Sequence, residues 1–164
     1  MDLLKHKQFA LEHLKSNKKL AQNLLKRKPK DLDRITSDLH FDAFEEIDCL
    51  DCANCCKSIS PVVTDKDIQR IAKHLQKKPS QLVEEYLYLD HEGDYVFKVQ
   101  PCPFLGADNY CDIYSVRPKA CAEYPHTDRQ KFYQLLNLSV KNTIICPAVS
   151  KVFTGLKEHY IDKK

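Results

Sequence analysis

At 164 residues the chain is long enough for one domain with a real core, and its 43% hydrophobic and 30% charged residues are ordinary for a globular protein. The formal charge of +3 at pH 7 is too small to argue for or against a nucleic-acid partner. With only Gly93, Gly106 and Gly155 available, neither a Rossmann fingerprint nor a P-loop can be written, which excludes nucleotide chemistry of those two kinds.

The first residues, MDLLKHKQFALEHLKSNKK, carry charges every few positions and lack the apolar h-region of a signal peptide. No run approaches the ~18–20 apolar residues of a membrane span. The expectation is a cytoplasmic protein, away from membranes, whose thiols stay reduced. Residues 2–28 read as a helix: Leu3, Ala10, Leu14, Ala21 and Leu25 recur at helical spacing, with Leu4, Leu11 and Leu24 widening the stripe. Pro29 closes it. Asp31 is placed to cap a second helix, whose buried face is marked by Leu32, Ile35, Leu39, Ala43 and Ile47. The two helices are expected to form an antiparallel hairpin. Lys15, Lys18, Lys19, Lys26, Arg27, Lys28 and Lys30 make it basic, and the simplest reading is a solvated helix face. No aromatic residues are interleaved to stack on bases, so a nucleic-acid partner is not expected.

Further along, Pro61-Val62-Val63 reads as extended. Thr64-x-x-Asp67 resembles a capping box opening a helix through Ile68, Ile71, Ala72 and Leu75. Pro79-Ser80 opens another short helix containing Leu82, Val83, Tyr86 and Leu87. Gly93 then turns the chain into an alternating strand over 94–99. Pro101, Pro103, Pro118 and Pro125 make the segment 100–128 loop and short helix, and a last helix over about 147–160 buries Val149, Val152, Phe153 and Leu156.

The chemistry lies in eight cysteines: Cys49, Cys52, Cys55 and Cys56 in one run, then Cys102, Cys111, Cys121 and Cys146 singly. Thiolates at x2 spacing can converge on one soft metal from a single stretch of backbone. The rhythm Cys49-x2-Cys52-x2-Cys55 suits three ligands of an iron–sulfur cluster, with a fourth from afar. Adjacent side chains diverge in helix and strand, so Cys56 is poorly placed to share a mononuclear site with Cys55. Eight thiols allow two four-thiolate sites, one polynuclear site, or one site plus spare cysteines, and spacing does not choose. The competing reading of an isolated cysteine is a small buried hydrophobe, a reading strongest for Cys146 beside Ile144 and Ile145. In Arg117-Pro118-x-x-Cys121, Pro118 suits the first turn of a helix that would aim amide donors and the Arg117 guanidinium at anionic thiolates, as charge compensation. His126 is a further ligand candidate, though a lone histidine is more often not one.

The run Cys49-x2-Cys52-x2-Cys55-Cys56 is followed by Pro101-Cys102-Pro103-Phe104-Leu105. Cys111-Asp-Ile113-Tyr114-x-x-Arg117-Pro118-x-x-Cys121-x-x-Tyr124-Pro125 comes next. The combination resembles the CxxCxxCC family of zinc- or iron-chelating proteins, the YkgJ-type cysteine-cluster family, over about residues 47–148. The resemblance implies that Cys49, Cys52, Cys55, Cys56, Cys102, Cys111 and Cys121 belong to the chelating set and that Cys146 matches a later, less regular cysteine. Where the family often has a basic residue and an aromatic, this chain has Ala122 and His126. A likeness to the cysteine-rich part of flagellin lysine methylases implies an iron–sulfur occupant.

The expected architecture is mainly α with a small β element. It comprises a helical hairpin at 1–47 packed on the same domain, a loop-rich, metal-stapled cysteine-cluster domain at 48–148, and a C-terminal helix at 149–164. The expected function is binding of zinc or iron, including an iron–sulfur cluster, with the metal ion as partner. One alternative is a cluster-dependent redox or methyl-transfer enzyme, against which the spacing is CxxCxxC and not the CxxxCxxC of a radical-SAM site. Another is a structural-zinc interaction module that uses the basic hairpin. No Ser/His/Asp constellation is present, so no catalytic residue is assigned.

Overall fold

The computed structural model describes residues 2–162, which are mainly helical with one two-stranded sheet. They form two compact units: residues up to Cys52 together with those from Pro125 onward make one, and Ala53–Tyr124 the other.

In the first unit, α1 (Leu3–Arg27) begins where the Asp2 carboxylate accepts from the Leu4 and Lys5 amides, both at 3.1 Å, a cap the charge pattern had not signalled. It ends where Lys28 turns left-handed (φ 44°) and returns its N–H to the Leu24 carbonyl at 2.8 Å. Its buried stripe is narrower than expected. Ala10, Asn17, Leu20, Ala21 and Leu24 are buried, whereas Leu4 is 82% and Leu11 50% exposed. The seven basic residues from Lys15 to Lys30 are all exposed, as a solvated face requires.

α2 (Leu32–Glu46) starts at Asp31, but the Asp31 side chain does not cap it. Its carboxylate instead accepts from the Tyr160 hydroxyl at 2.9 Å and lies 3.6 Å from His159. Nor do α1 and α2 chiefly pack on one another. Among the helices, α1 makes its largest contact with α8 (Leu136–Asn142) and α2 with α9 (Pro147–Lys157). The core joins Leu20, Ala21, Leu24, Leu32 and Ala43 to Phe132, Leu136, Val149, Val152, Phe153 and Leu156. A 3-10 turn at Phe132–Leu135 precedes α8, and a π-helical turn at Glu158–Asp162 follows α9. Short α3 (Cys49–Cys52) also belongs to this unit.

In the second unit, α4 (Asn54–Ser58) leads through an extended stretch into α5 (Asp65–His74). The expected capping box is present: the Asp67 amide donates to the Thr64 hydroxyl at 3.3 Å and the Thr64 amide to Asp67 at 3.0 Å. α6 (Pro79–Tyr86) opens with Pro79 in its first turn and stops one residue earlier than the sequence suggested. Leu87 is not helical; it begins β1 (Leu87–Leu89), which pairs antiparallel with β2 (Tyr95–Phe97) in the register Leu87↔Phe97, Tyr88↔Val96 and Leu89↔Tyr95. Gly93 (φ +85°) sits in the intervening turn. Val63, Ile68, Ile71, Leu82, Leu87, Phe97, Phe104 and Ile113 form the core. α7 (Lys119–Glu123) closes the unit, begun by Pro118 as its spacing implied.

Candidate metal centre

The cysteine run is two short helical pieces with a break between them. Asp48 opens α3 by accepting the Leu50 amide at 2.8 Å. Ala53, buried and left-handed (φ 45°, ψ 20°), then interrupts the helical backbone before α4. An alanine there carries a cost of about 1–2 kcal/mol. That left-handed residue keeps the run from continuing as one helix. The division between the two compact units falls at this point, so Cys49 and Cys52 belong to one and Cys55 and Cys56 to the other.

Cys55 and Cys56 overturn an expectation. Their sulfurs lie 3.9 Å apart, although adjacent side chains usually diverge. Two thiolates on one tetrahedral zinc, with Zn–S bonds of about 2.3 Å, sit about 3.8 Å apart, so this spacing is compatible with a shared ion.

The loop segment delivers the next three cysteines by backbone bonds. The Cys102 amide donates to the Cys56 carbonyl at 2.8 Å, which fixes Cys102 beside α4. Leu105 and Cys111 form an antiparallel bridge, flanked by Gly106 N–H to Tyr110 O at 2.7 Å and Asp112 N–H to Phe104 O at 2.9 Å. Glycine suits this tight loop, because a Cβ at Gly106 would crowd the Asp108 carboxylate at 2.6 Å and the Tyr110 carbonyl at 3.3 Å. From Cys111 the chain makes a 3-10 turn, Tyr114–Val116, and enters α7, where the Cys121 amide donates to the Pro118 carbonyl at 2.9 Å.

Asp67 holds this end of the unit in place, a role the sequence showed only as a helix cap. Its buried carboxylate accepts from the Thr64 hydroxyl at 2.6 Å, from Arg70 at 2.5 Å and from the Lys119 amide at 3.1 Å. Arg70 also donates to the Arg117 carbonyl at 2.8 Å. One carboxylate thus ties α5 to the segment that carries Arg117 and Cys121.

Within each unit the thiols act on one another electrostatically. In residues 53–124, burial pushes Cys121 up to about 12, and the charges of Cys56, Cys102 and Cys111 add to it while Arg117 opposes it. Burial likewise raises Cys102 to about 11, with Cys56 and Cys111 contributing. Cys111 is raised by burial, with Cys56 adding and Arg117 opposing. Cys56 moves the other way, to about 7, because it accepts from Cys55, with Lys57 assisting. In the other unit burial raises Cys146 to about 11; the Val149 and Ala148 amides at the start of α9 oppose this, and the charges of Cys49 and Cys52 add to it. A buried thiol beside other thiols and short of positive charge resists ionising, and a bound cation is what reverses that balance.

Cys146 packs against the first core, and Cys102 and Cys111 against the second, so these three also serve as apolar filling. Among the described residues, no three or more His, Cys, Asp or Glu side chains are already arranged about one point as an ion would need. His126 lies in the first unit with a left-handed backbone (φ 65°).

The CxxCxxCC sequence profile, described as "Putative zinc- or iron-chelating domain", matches residues 48–139, more than half of the chain. The chain belongs to the CxxCxxCC family. Cys49, Cys52, Cys55, Cys56, Cys102, Cys111 and Cys121 lie inside the matched segment, and Cys146 lies beyond it. Neither a curated protein nor a solved structure matches the chain. The CxxCxxCC segment thus carries the zinc- or iron-chelating assignment, and no helix among the described residues is long and apolar enough to cross a membrane.

Proposed function

We propose that the protein binds zinc or iron through cysteine thiolates, with Cys55, Cys56, Cys102, Cys111 and Cys121 as one group of ligands and Cys49, Cys52 and Cys146 as another. The observation that carries this reading is the gathering of thiols inside the 53–124 unit: a sulfur pair 3.9 Å apart, joined by a backbone hydrogen bond to Cys102, with Cys102, Cys111 and Cys121 in electrostatic reach of Cys56. A soft divalent ion matches this donor set, since thiolates neutralise it and its charge offsets the burial, and the neighbouring thiols, that hold these groups protonated. Arg117 is the second source of positive charge, acting on Cys111 and Cys121. When bound, the metal would supply a structural tie across the loop-rich segment. Ligand binding then includes folding free energy, and side chains that stand apart are drawn in with the ion.

A cluster-dependent redox or methyl-transfer activity is a second reading, favoured by the C-x2-C-x2-C rhythm of Cys49, Cys52 and Cys55. One preparation separates the two. The full chain is purified without oxygen, and zinc, iron and acid-labile sulfide are quantified beside the visible spectrum. Zinc or iron in whole-number ratio to protein without sulfide is the expected result. Brown protein with sulfide would replace the sulfide-free site with an iron–sulfur cluster, and metal-free protein from metal-supplemented cells would end both. Cys121→Ser and Cys52→Ser are each expected to lose metal, and a variant that keeps the full complement removes that cysteine from the ligand set.

A further inference from the structure

The 53–124 unit contains a second feature with chemistry of its own, a cavity of about 420 Å³ between the start of α5 and the Tyr114–Lys119 segment. Four cationic side chains, Lys66, Arg70, Arg117 and Lys119, line it against a single carboxylate, Asp67. That carboxylate is only 1% exposed, and both of its oxygens are occupied by Thr64, Arg70 and the Lys119 amide. It therefore acts as an internal counter-charge for about one of the four cations and leaves the cavity strongly positive.

The two guanidinium groups are held in place, unlike those of a solvated basic face. Arg70 is fixed by Asp67 at 2.5 Å and by the Arg117 carbonyl at 2.8 Å. Arg117 donates to the Tyr114 carbonyl at 2.9 Å and stacks on the Tyr114 ring, with its guanidinium carbon 3.8 Å from the centroid. It forms no ion pair with a carboxylate among the described residues. Side chains already ordered give up less entropy when a ligand arrives, and a planar guanidinium presents parallel donors to an oxyanion. Lys119 is only loosely engaged, 3.5 Å from Glu123 at an exposed position, and Lys66 is exposed on the first turn of α5. The Thr64 and Ser115 side chains add hydroxyl-bearing groups to the wall.

We propose that this cavity is a binding site for the phosphate group of a small phosphomonoester. A dianionic head, −1.5 to −2 at neutral pH, matches an excess of about three positive charges better than a carboxylate does. The volume falls within the range of ~300–1,000 Å³ typical of small-molecule sites, which leaves space beyond the phosphate for the esterified group. The cavity shares Arg117 with the thiols, since its charge also acts on Cys111 and Cys121, whereas Lys66, Arg70 and Lys119 belong to the cavity lining.

The test uses the full-length, metal-loaded protein, titrated with glycerol phosphate, inorganic phosphate and acetate at constant ionic strength, with amide chemical shifts as the readout. Saturable binding of glycerol phosphate, tighter than inorganic phosphate and much tighter than acetate, is expected, with shifts centred on residues 64–70 and 114–122. Lys66→Gln and Arg117→Gln should each weaken it about tenfold, the size of one charge-assisted hydrogen bond. Lys73→Gln, which removes the same charge from α5 outside the cavity, should leave it within about twofold. The exposed Lys66 keeps the test decisive even if Arg117→Gln disturbs the fold. Equal affinity for inorganic phosphate overturns the ester assignment. Equal affinity for acetate, non-saturating shifts, or equal losses in Lys66→Gln and Lys73→Gln overturn the site.

Discussion

Asp67 shows how much one side chain can carry. Burial alone would raise its pKa, but the Thr64 hydroxyl and amide, Arg70 and the Lys119 amide outweigh burial and hold it below its ordinary value of 3.8. Its contribution to stability is therefore fully present above pH 3.8 and is lost as the pH falls through the lower, folded-state value. Asp67→Ala removes a helix cap and leaves the Lys119 amide without its acceptor. Arg70 is 41% exposed, so the ion pair itself adds little, and the total is expected near ~2 kcal/mol in urea denaturation at pH 7. The gap between wild type and Asp67→Ala should narrow as the pH is lowered below 3.8; a gap that stays constant would show that the carboxylate's charge is not what matters. Thr64-x-x-Asp67 was legible as a capping box because that pattern is local. The bonds to Lys119 and Arg70's link to the Arg117 carbonyl join residues about fifty positions apart, and no spacing rule encodes them.

At the scale of elements, the contact between α2 and α9 turns on Gly155. A Cβ built there would run into the Leu39 side chain, so glycine lets the two helices approach. Alanine gains roughly 1 kcal/mol of helix propensity but must displace Leu39, which overpacking places at about 1–3 kcal/mol. A cavity of about 220 Å³ lined by Leu39, Gly155 and Ile35 gives Leu39 some room to move, so the net loss is expected at the low end, a few degrees in Tm. Leu39→Ala in the same chain should make Gly155→Ala neutral or stabilising, and additive effects in this double-mutant cycle would disprove the contact. Helix existence was readable from period and caps, as α1, α2, α5 and α9 show. Partner choice was not: Leu4 and Leu11 fit the apolar period yet lie exposed, because the neighbours of α1 cover only the Ala10–Leu24 stripe. β1 was missed for a related reason. Leu87 continues the pattern of α6, and only its pairing with Phe97 makes it a strand.

For the whole molecule, the proposed metal implies that folding and ligation are linked. Removing it with a chelator under reducing conditions should lower Tm by well over the few degrees of a point mutation, since structural metal sites contribute about 10 kcal/mol or more in apparent binding free energy. Proteolysis should then begin in the proline-rich segment around Cys102–Cys121, whose own regular structure is short. Re-addition of zinc or iron(II) should restore both. An apo chain with unchanged Tm and cleavage pattern would leave the thiols as buried filling, the role Cys102, Cys111 and Cys146 already partly play.

The amino-acid sequence by itself determined that this is a mainly helical, thiol-rich chain of the CxxCxxCC family. Helix period, capping residues and cysteine spacing act over a few residues and survive without a fold. Only the tertiary structure decided which parts of the chain meet around each cysteine. Cys52 and Cys55 are three positions apart, yet the boundary between the two compact units falls between them, beside the left-handed Ala53. Cys56 and Cys102, forty-six positions apart, are joined by one backbone hydrogen bond. Proximity in space is set by which apolar faces bury one another, and that competition runs over the whole chain at once.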